Sequence, residues 1–486
     1  MQFIIRLHPE IIVKSRSVRK RFTFILAGNI RRIFKLNDLS VEVRQFWDKL
    51  TLIVNHRSID KHVEIVDLLQ RIPGIDQILQ VEESTFTDLD DICQQIKHAW
   101  QPLLVGKSFV VRVKRSGKHP FSSLEAARYV GGYLNQNCDS QGVNLTSPDL
   151  IVEFEINQHK LIQRHNRIKC LGGMPLPTQD EVLSLMSGGY DSGVATYQMI
   201  RRGARTHFCF FNLGGREHEI GVKQVSYYLW KRYSESHRVK FIAVDFAPVV
   251  ADILENVENS QMGVVLKRMM VRAASQVADK LNINALLTGE SLGKVSSQTM
   301  TNLSVIDKAT DKLILRPLIC MDKFEIIDQA KHIGTEDFAK IMPEYCGVIS
   351  RKPTTKAELA KIEMEESKLD FGMIERVVGE AKMRDIRTII EDAEQETEFV
   401  TEVDILPRNS IVLDIRSAEE QEEAPLALST VKVQHIPFFK LATQFPSLPQ
   451  DKQYFLYCDR GVMSQLQALL LHEQGYDQVQ VYRPKA

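Results

Sequence analysis

The chain lacks the features that mark membrane and secreted proteins. No apolar run in its 486 residues approaches the roughly 18 residues that a membrane-spanning helix needs. The N-terminus, MQFIIRLHPE, carries an early charge and no signal-peptide pattern. We therefore expect a cytoplasmic protein that does not enter a membrane.

Cysteine is scarce and scattered. The seven cysteines are odd in number and form no C-x-x-C pair, so the sequence indicates neither a zinc site nor an iron–sulfur cluster. We expect no metal that is held by protein ligands alone, and a reducing compartment in which most of these thiols are buried. They lie at positions 93, 138, 170, 209, 320, 346 and 458.

An overall excess of charge is missing too, because 62 Lys and Arg residues balance 62 Asp and Glu residues. The charges are nevertheless unevenly distributed. Residues 1–35 hold nine bases against one acid, and residues 105–130 hold six against one, whereas residues 390–404 hold seven acids and no base. The basic half predicts a surface for a polyanion, and the acidic stretch predicts a solvated connector.

Residues 182–192 combine an apolar strand, a glycine turn and the start of a helix. Gly188 and Gly189 permit a tight turn, and the helix that opens at Asp191 offers free N–H groups to an anion. The lysine of the G-x-x-x-x-G-K-[ST] phosphate loop is absent. The pattern S-G-G-x-D-S at 187–192 resembles instead the PP-loop of ATP pyrophosphatases, which split ATP into AMP and pyrophosphate to activate a substrate oxygen.

This resemblance implies that the strand end and the loop bind ATP. Asp191 lies beside the phosphates in this arrangement and would help to hold Mg²⁺, which neutralises the departing pyrophosphate. The ATP-binding residues implied by the motif are Leu185, Met186, Ser187, Gly188, Gly189, Asp191 and Ser192.

The chain is long enough for three or four domains, and we expect an α/β multidomain protein. Strands and helices alternate from residue 182 to residue 288, which predicts a doubly wound parallel sheet in a PP-loop domain over residues 176–395. Sites in such sheets lie at the carboxyl ends of the strands. Residues 187–192, 212–215 and 288–291 should therefore meet at one edge.

The N-terminal half predicts two small α+β domains. Residues 1–60 combine short strands with a basic helix over residues 17–34, as in a ferredoxin-like domain. Residues 61–165 resemble the THUMP domain, an RNA-binding module. Residues 166–180 contain two glycines and two prolines, which predicts a linker.

A basic strand end and turn is the strongest RNA-binding signal in that half. Arg112, Lys114, Arg115 and Lys118 fall within eight residues and predict contacts to phosphates. The alternative is an edge strand that its charges protect from aggregation.

The C-terminal residues 405–486 resemble a rhodanese domain, an α/β fold that carries sulfur as a cysteine persulfide. The resemblance rests on D-x-R-x-x-x-E at 414–420 and C-x-x-G-x-x-S at 458–464. Cys458 follows an apolar strand and precedes a helix, where loop N–H groups stabilise a thiolate or persulfide. Arg460 would add positive charge, and Asp414 and Arg416 would brace the loop; the alternative for Cys458 is a buried core cysteine.

A helical linker is predicted ahead of the acidic stretch. It contains Ile362, Leu369, Ile374 and Val377 and leads into the acidic stretch at 390–404.

In this order, the segments resemble the ThiI family of bacterial tRNA 4-thiouridine synthetases over essentially the whole chain, in the long form with a rhodanese domain. The motifs are S-G-G-Y-D-S at 187–192, P-E-Y-C-G-V at 343–348 and C-D-R-G-V at 458–462. The resemblance implies transfer of persulfide sulfur to uridine 8 of tRNA through an adenylated uridine, with ATP and Mg²⁺. It also implies sulfur supply for the thiazole of thiamine.

The same resemblance implies partners and further site residues. A PLP-dependent cysteine desulfurase would load Cys458, the sulfur carrier protein of thiamine synthesis would be a second acceptor, and a homodimer is compatible with the pattern. Asp191 would be catalytic, and Cys346 would resolve the persulfide and end in a disulfide with Cys458. Further ATP contacts would come from Lys267, Gly289, Gln298 and Lys323.

Two other functions are compatible with parts of the sequence. A 2-thiouridylase or another PP-loop ligase shares S-G-G-x-D-S, but the rhodanese-like tail and the basic N-terminal half disfavour it. A non-enzymatic sulfur carrier of thiamine synthesis would need only Cys458, and the intact PP-loop would then have no purpose.

Overall fold

The computed structural model describes most of the chain as two compact units, Met1–Pro175 and Leu176–Ala486. The described residues are 1–55, 61–213, 216–340, 342, 352–389, 401–407, 410–416, 421, 424–428, 431–458, 464, 467–468, 471–472 and 474–484.

The first unit is an α+β structure around one mixed sheet of eight strands in the order β2-β3-β1-β4-β8-β7-β5-β6. Its elements are β1 (Gln2–Leu7), α1 (Pro9–Ile12), α2 (Arg16–Leu36), β2 (Val41–Gln45), β3 (Lys49–Val54), α3 (His62–Gln70), β4 (Ile75–Thr85), α4 (Leu89–Leu104), β5 (Ser108–Ser116), α5 (Ser123–Asn137), β6 (Gly142–Val143), β7 (Leu150–Asn157) and β8 (Lys160–Lys169).

The first four strands have ferredoxin-like topology. Strand β1 lies between β3 and β4 and is antiparallel to both, and β2 pairs with the far side of β3. The long helix predicted over residues 17–34 is confirmed within α2. It buries Leu26 and Ile30 against Phe3 and Ile5 of β1, as its 3.6-residue periodicity requires.

The predicted linker over residues 166–180 is wrong at its N-terminal end. Residues 166–169 continue β8, and Ile168 and Lys169 pair with Ile78 and Gln77 of β4. The sequence signal comes from the glycines and prolines that follow, which do lie outside regular structure. Long-range strand pairing extends the sheet up to them.

The second unit begins with a doubly wound sheet of six strands in the order β13-β12-β9-β10-β11-β14. Its elements are β9 (Glu181–Met186), α6 (Tyr190–Arg201), β10 (Arg205–Asn212), α7 (Arg216–Tyr233), β11 (Lys240–Asp245), α8 (Ala247–Asn256), α9 (Met262–Lys280), β12 (Ala285–Leu287), a 3₁₀ turn (Ser296–Gln298), α10 (Met300–Asp307), β13 (Leu313–Leu315), α11 (Lys323–Ile333), α12 (Glu336–Lys340), α13 (Leu359–Glu366), α14 (Gly372–Gly379) and β14 (Lys382–Asp385).

The strand order of this sheet reverses between β9 and β12. Strand β9 is parallel to β10 on one side and to β12 on the other, and only the edge strand β14 runs antiparallel. Such a reversal leaves a crevice at the carboxyl ends of the two central strands, where doubly wound proteins bind ligands. The predicted parallel sheet is confirmed.

The helical linker predicted around residues 362–377 is wrong. Helices α13 and α14 belong to the core of the sheet domain, where Ile362, Ile374 and Val377 are buried. A buried pair of Arg268 and Glu366, with Nη2 3.0 Å from Oε2, fastens α13 to α9. The apolar spacing does correspond to helices, but periodicity does not tell what a helix packs against.

The last part of the unit is a five-stranded parallel sheet in the order β15-β19-β18-β16-β17. Its elements are β15 (Glu402–Val403), β16 (Ile411–Asp414), β17 (Lys432–His435), α15 (Phe438–Gln444), a 3₁₀ turn (Phe445–Ser447), β18 (Tyr454–Tyr457) and β19 (Val479–Tyr482). A parallel sheet buries both faces, which fits the apolar run Tyr454–Tyr457. The domain boundaries at 60, 165, 395 and 405 stay predictions.

Candidate active site

The loop that follows β9 lies at the reversal point of the sheet and leads directly into α6. Gly188 has φ +82°, a conformation that favours glycine, and a Cβ there would also lie 2.7 Å from Sδ of Met342. The Ser192 hydroxyl accepts a hydrogen bond from the N–H of Ser187 at 3.3 Å and lies 3.2 Å from the carbonyl oxygen of Gly189. The predicted strand, glycine turn and helix are therefore present.

Gly289, the residue predicted after β12, lies directly against this loop. A Cβ built on Gly289 would lie 2.6 Å from the carbonyl carbon of Asp191 and 2.7 Å from the nitrogen of Ser192. Only a residue without a side chain allows the two strand ends to approach this closely. Two segments about a hundred residues apart thus share one edge, as the alternation of strands and helices predicted.

Asp191 forms an ion pair that the sequence did not reveal. Nζ of Lys294 lies 2.6 Å from Oδ1 of Asp191, and both side chains are about one quarter exposed (26% and 25%). Lys294 belongs to the segment between β12 and the 3₁₀ turn. No local pattern connects residues 103 positions apart, so no sequence signal could have identified this pair.

Lys267 contacts a second carboxylate at the same edge. Its Nζ lies 2.7 Å from Oε1 of Glu290, and Nε of Arg316 lies 2.7 Å from Oε2. Burial raises the pKa of Glu290, but the two cations and their hydrogen bonds outweigh it and hold the pKa at about 2. Glu290 follows Gly289, so its place at the edge was predictable; its role as the anchor of two cations was not.

Gln298 and Lys323 occupy different environments. Gln298 ends the 3₁₀ turn and is 8% exposed, and within the described residues its Oε1 has no hydrogen-bond partner. A buried acceptor without a partner is costly, so it marks a place where a ligand donor can bind. Lys323 is exposed at the first position of α11. Among the described residues, no hydrogen bond or ion pair joins Lys323 to the PP-loop.

Cys458 lies just beyond β18, half-buried, where the sequence predicted it. Its Sγ accepts a hydrogen bond from the N–H of Ser464 at 3.3 Å and lies 3.1 Å from the Ser464 hydroxyl. Arg416 forms a two-pronged pair with Asp414, at 2.9 and 2.7 Å, and its guanidinium carbon lies 5.0 Å from the centre of the Tyr457 ring. This buried pair braces the end of β18, directly before Cys458.

Several predicted site residues fall outside the described residues. These are Cys346 with its whole motif at 343–348, and Arg460 and Gly461 of the loop after Cys458. The glycines at 214 and 215 are outside as well.

The basic segment around β5 is divided between the two faces of the sheet. Arg112 and Lys114 are exposed on one face, and Lys114 lies 3.8 Å from Glu153 of the neighbouring strand β7. Arg115 points to the opposite face, where Nη1 donates to the carbonyl oxygen of Gly117 at 3.0 Å. Lys118 is exposed in the turn that follows.

Metal-binding clusters and membrane-spanning helices are both absent from the described residues. No group of three or more His, Cys, Asp or Glu side chains there converges as a metal site. No helix there has both the length and the apolar character needed to cross a membrane.

The chain is similar to known families along most of its length. The family described as thiamine biosynthesis protein (ThiI) matches residues 177–371, the THUMP domain matches 86–162, and the ThiI ferredoxin-like domain matches 2–78. The chain is 56% identical over 484 residues to the tRNA sulfurtransferase of Shewanella halifaxensis. It is 57% identical over 485 residues to that of Yersinia pestis, and each comparison covers 100% of both chains.

A solved structure has a similar fold at lower identity. It is a crystal structure of a 4-thiouridine synthetase–RNA complex with bound ATP, with a TM-score of 0.69 and 24% identity. The match covers 79% of this chain and 99% of that one.

Fold, site and comparisons together define an enzyme with a PP-loop domain preceded by a ferredoxin-like domain and a THUMP domain. The chain belongs to the tRNA sulfurtransferase (ThiI) family.

Proposed function

We propose that the protein uses ATP to transfer persulfide sulfur to uridine 8 of tRNA, which gives 4-thiouridine. The observation that carries this proposal is the PP-loop at the reversal point of the sheet, with Gly289 packed against the Asp191–Ser192 peptide. The relatives that match over the full length are named tRNA sulfurtransferases, and the similar solved structure is a 4-thiouridine synthetase–RNA complex with ATP.

The first half of the reaction is adenylation. O4 of uridine attacks the α-phosphate of ATP, pyrophosphate leaves, and the oxygen becomes part of a good leaving group, AMP. The strand end and loop, Leu185 to Ser192, would bind the phosphates through backbone N–H groups at the start of α6. The buried Oε1 of Gln298 suits a donor on the nucleotide, and Gly289, Lys267 and Lys323 complete the proposed ATP site.

Asp191 is the proposed contact for Mg²⁺. Its carboxylate already carries a cation, the ammonium of Lys294, at the edge where the phosphates would bind. A partly exposed carboxylate of this kind is a ligand that Mg²⁺ prefers, together with phosphate oxygens. When bound, Mg²⁺ would neutralise the leaving pyrophosphate.

The second half of the reaction uses the thiols. The outer sulfur of a Cys458 persulfide attacks C4 of the adenylated uridine and displaces AMP. The thiolate of Cys346 then attacks Sγ of Cys458, breaks the bond to the transferred sulfur and leaves 4-thiouridine and a Cys346–Cys458 disulfide. A cellular reductant supplies the two electrons that reopen it. The N–H of Ser464, which donates to Sγ of Cys458, supports the thiolate and persulfide forms.

The partners follow from this chemistry. A PLP-dependent cysteine desulfurase would load Cys458. Of the four predicted basic residues of the THUMP domain, Arg112 and Lys114 on the exposed face of β5 and Lys118 in the turn would contact tRNA, whereas Arg115 points to the opposite face and would not. We further propose a cytoplasmic location, a rhodanese domain over residues 405–486, and sulfur transfer to the sulfur carrier protein of thiamine synthesis. A homodimer is compatible with these roles.

A sulfur carrier that serves thiamine synthesis alone is the competing proposal, since Cys458 would suffice for it. Liquid chromatography of digested tRNA from a deletion strain separates the two. Our proposal requires 4-thiouridine to vanish, and its persistence would favour the carrier.

The adenylation step is tested with Asp191→Ala. Without the carboxylate we expect ATP–pyrophosphate exchange and AMP release to be abolished while tRNA still binds. Asp328→Ala is the control, because it removes an exposed carboxylate (79% exposed) from α11. Exchange at the wild-type rate in Asp191→Ala would refute the role of Asp191.

A further inference from the structure

The tip of the β2–β3 hairpin exposes two aromatic side chains that the proposed reaction does not use. Trp47 is 72% exposed and Phe46 is 48% exposed, whereas Trp100 and Trp230, the other two tryptophans of the chain, are each 5% exposed. Tryptophan is highly buried on average, so an indole this exposed beside a second exposed aromatic ring marks a candidate binding surface.

One cation lies beside each of these rings. The guanidinium carbon of Arg19 lies 5.3 Å from the centre of the Trp47 ring, and Nζ of Lys49 lies 5.6 Å from the centre of the Phe46 ring. Nη1 of Arg19 also donates to the carbonyl oxygen of Ile12 at 3.2 Å, which brings the end of α1 to the same place. These contacts fix Arg19 beside the indole while most of the indole stays open to solvent.

The neighbouring start of α2 strengthens the positive charge. Its first turn has no acidic residue, and Arg16, Lys20 and Arg21 are exposed. Asp48 is the one acid within the tip itself, and it is half-buried. Aromatic faces among cations match the requirements of a nucleic acid strand, in which bases stack and phosphates carry charge.

We propose that the hairpin tip, defined as Phe46 and Trp47 with Arg19 and Lys49, is a stacking platform for an unpaired base of the bound RNA. The proposal rests on the proposed tRNA function and adds a second RNA contact to the phosphate-binding face of β5. Trp47 stacks on the base, and Arg19 and Lys49 hold the phosphates that flank it.

The fluorescence of the exposed Trp47 reports directly on RNA binding at the hairpin tip. Iodide quenches accessible indoles, so in the full-length protein it reports mainly on Trp47. We expect a tRNA transcript to reduce tryptophan fluorescence. Iodide should then quench the fluorescence that remains less than it does in the free protein. Trp47→Phe should abolish that change but retain affinity within about twofold, because a phenyl ring still stacks.

Removing the ring should weaken binding. We expect Trp47→Ala to lower tRNA affinity about tenfold, in keeping with the removal of one stacked base. The slope of affinity against salt should stay unchanged, since stacking releases no counterions, whereas Arg19→Gln should reduce that slope by about one unit. Phe371→Ala is the matched control. Phe371 is also an exposed aromatic residue (43%), and the guanidinium carbon of Arg272 lies 5.6 Å from the centre of its ring.

A blunt RNA duplex identifies what Trp47 recognises. Trp47→Ala should bind the duplex with the affinity of the wild type, because the duplex offers no unpaired base. If Trp47→Ala loses as much affinity for the duplex as for tRNA, the stacking proposal is overturned. Intact tRNA affinity in Trp47→Ala, combined with a failure to bind a cysteine desulfurase, also overturns it in favour of a protein partner.

A protein without the stacking platform and a protein without the proposed tRNA function give different results. If the wild-type protein binds no tRNA, both the proposed function and the stacking platform are refuted. If the wild type binds tRNA and folded Trp47→Ala binds it equally well, only the stacking platform is refuted. An unchanged thermal midpoint establishes that the variant is folded.

Discussion

Gly289 has no room for a side chain, and this makes it the most informative single residue of the proposed nucleotide site. Its ideal Cβ position lies 2.6 Å from a backbone carbon of the PP-loop, and backbone atoms cannot move aside as the end of a flexible side chain can. We therefore expect Gly289→Ala to displace the loop, to cost about 1–3 kcal/mol of stability, and to abolish ATP binding.

Gly263→Ala is the matched control for this substitution. Gly263 lies in the first turn of α9, with nothing within 4 Å of its Cβ position. Alanine there should stabilise the protein by up to about 1 kcal/mol, because it is the better helix former. Calorimetric titration with ATP and a thermal melt measure both effects. Wild-type ATP affinity in Gly289→Ala would refute this account of the loop.

Glu290 makes the stability of the folded protein depend on pH in a predictable way. Its folded pKa of about 2 is below the ordinary glutamate value of 4.5, so its ionised form stabilises the protein above about pH 4.5. That contribution decreases as the pH falls toward the folded pKa. Glu290→Gln should be destabilised at neutral pH by about 3–5 kcal/mol, because Lys267 and Arg316 are left without their buried partner.

The difference in the free energy of unfolding between Glu290→Gln and the wild type should become smaller as the pH falls from about 4.5 toward about 2. Urea midpoints measured from about pH 3 to about pH 7 test this. Glu375→Gln, which changes an exposed carboxylate on α14, should follow the wild type at every pH. If the stability difference is constant across this range, the cations Lys267 and Arg316 do not lower the pKa of Glu290.

At the scale of the element, strand β5 separates basic residues that are adjacent in sequence. Because side chains alternate along a strand, Arg112 and Lys114 share one face, and Arg115 lies on the other. A duplex lying on the first face would contact two of these cations. We expect the Arg112→Gln, Lys114→Gln double variant to lower the salt slope of tRNA binding by about two units, because each cation removed leaves one phosphate without its partner.

Arg115→Gln is the control within the same strand, and its salt slope should remain near that of the wild type. Fluorescence anisotropy with labelled tRNA at several salt concentrations measures all three proteins. If Arg115→Gln lowers the slope as much as the double variant does, tRNA does not distinguish the two faces. If no variant changes the slope, the segment is only a solvated edge.

Helix α9 shows how one element serves both the core and the site. Its buried side includes Arg268, whose guanidinium pairs with Glu366 of α13, and the preceding residue, Lys267, reaches Glu290 at the sheet edge. The fastened helix therefore fixes the position of Lys267. The alternation of strands and helices predicted a helix in this region, but it could not say which charged side chain was structural.

At the scale of the whole molecule, the proposed mechanism requires two thiols from different domains to meet. After one turnover without reductant, we expect a Cys346–Cys458 disulfide, which needs the sulfurs to approach to about 2 Å. Cys458→Ala should accept no persulfide and thiolate no tRNA. Cys346→Ala should accept the persulfide and stall before further turnover, because nothing frees the sulfur.

Peptide mapping under non-reducing conditions detects this disulfide directly. Cys320→Ala is the matched control, since Cys320 is an exposed thiol of the same unit and has no part in the mechanism. Both thiols free after single-turnover thiolation, or full multiple-turnover activity in Cys346→Ala, would rule out the two-cysteine mechanism.

Features that depend on near neighbours were readable from the sequence alone. Each of these features lies within a short window: the PP-loop, the long helix α2, and the strand before Cys458. The alternation that predicts a parallel sheet is longer, but each of its strands and helices is also a local signal. Backbone preference and side-chain periodicity act over the same short range. The resemblance to a known family extended this to the order of the domains and to residue roles, which stay proposals.

Contacts between distant segments were decided only by the tertiary structure. Pairing with β4 made residues 166–169 a strand, packing made α13 and α14 part of a core, and the meeting of two loops placed Lys294 on Asp191 and Gly289 on the Asp191–Ser192 peptide. Each of these is a choice among many partners of suitable chemistry. Local sequence carries no record of that choice, because it is made by the free energy of the whole packed arrangement.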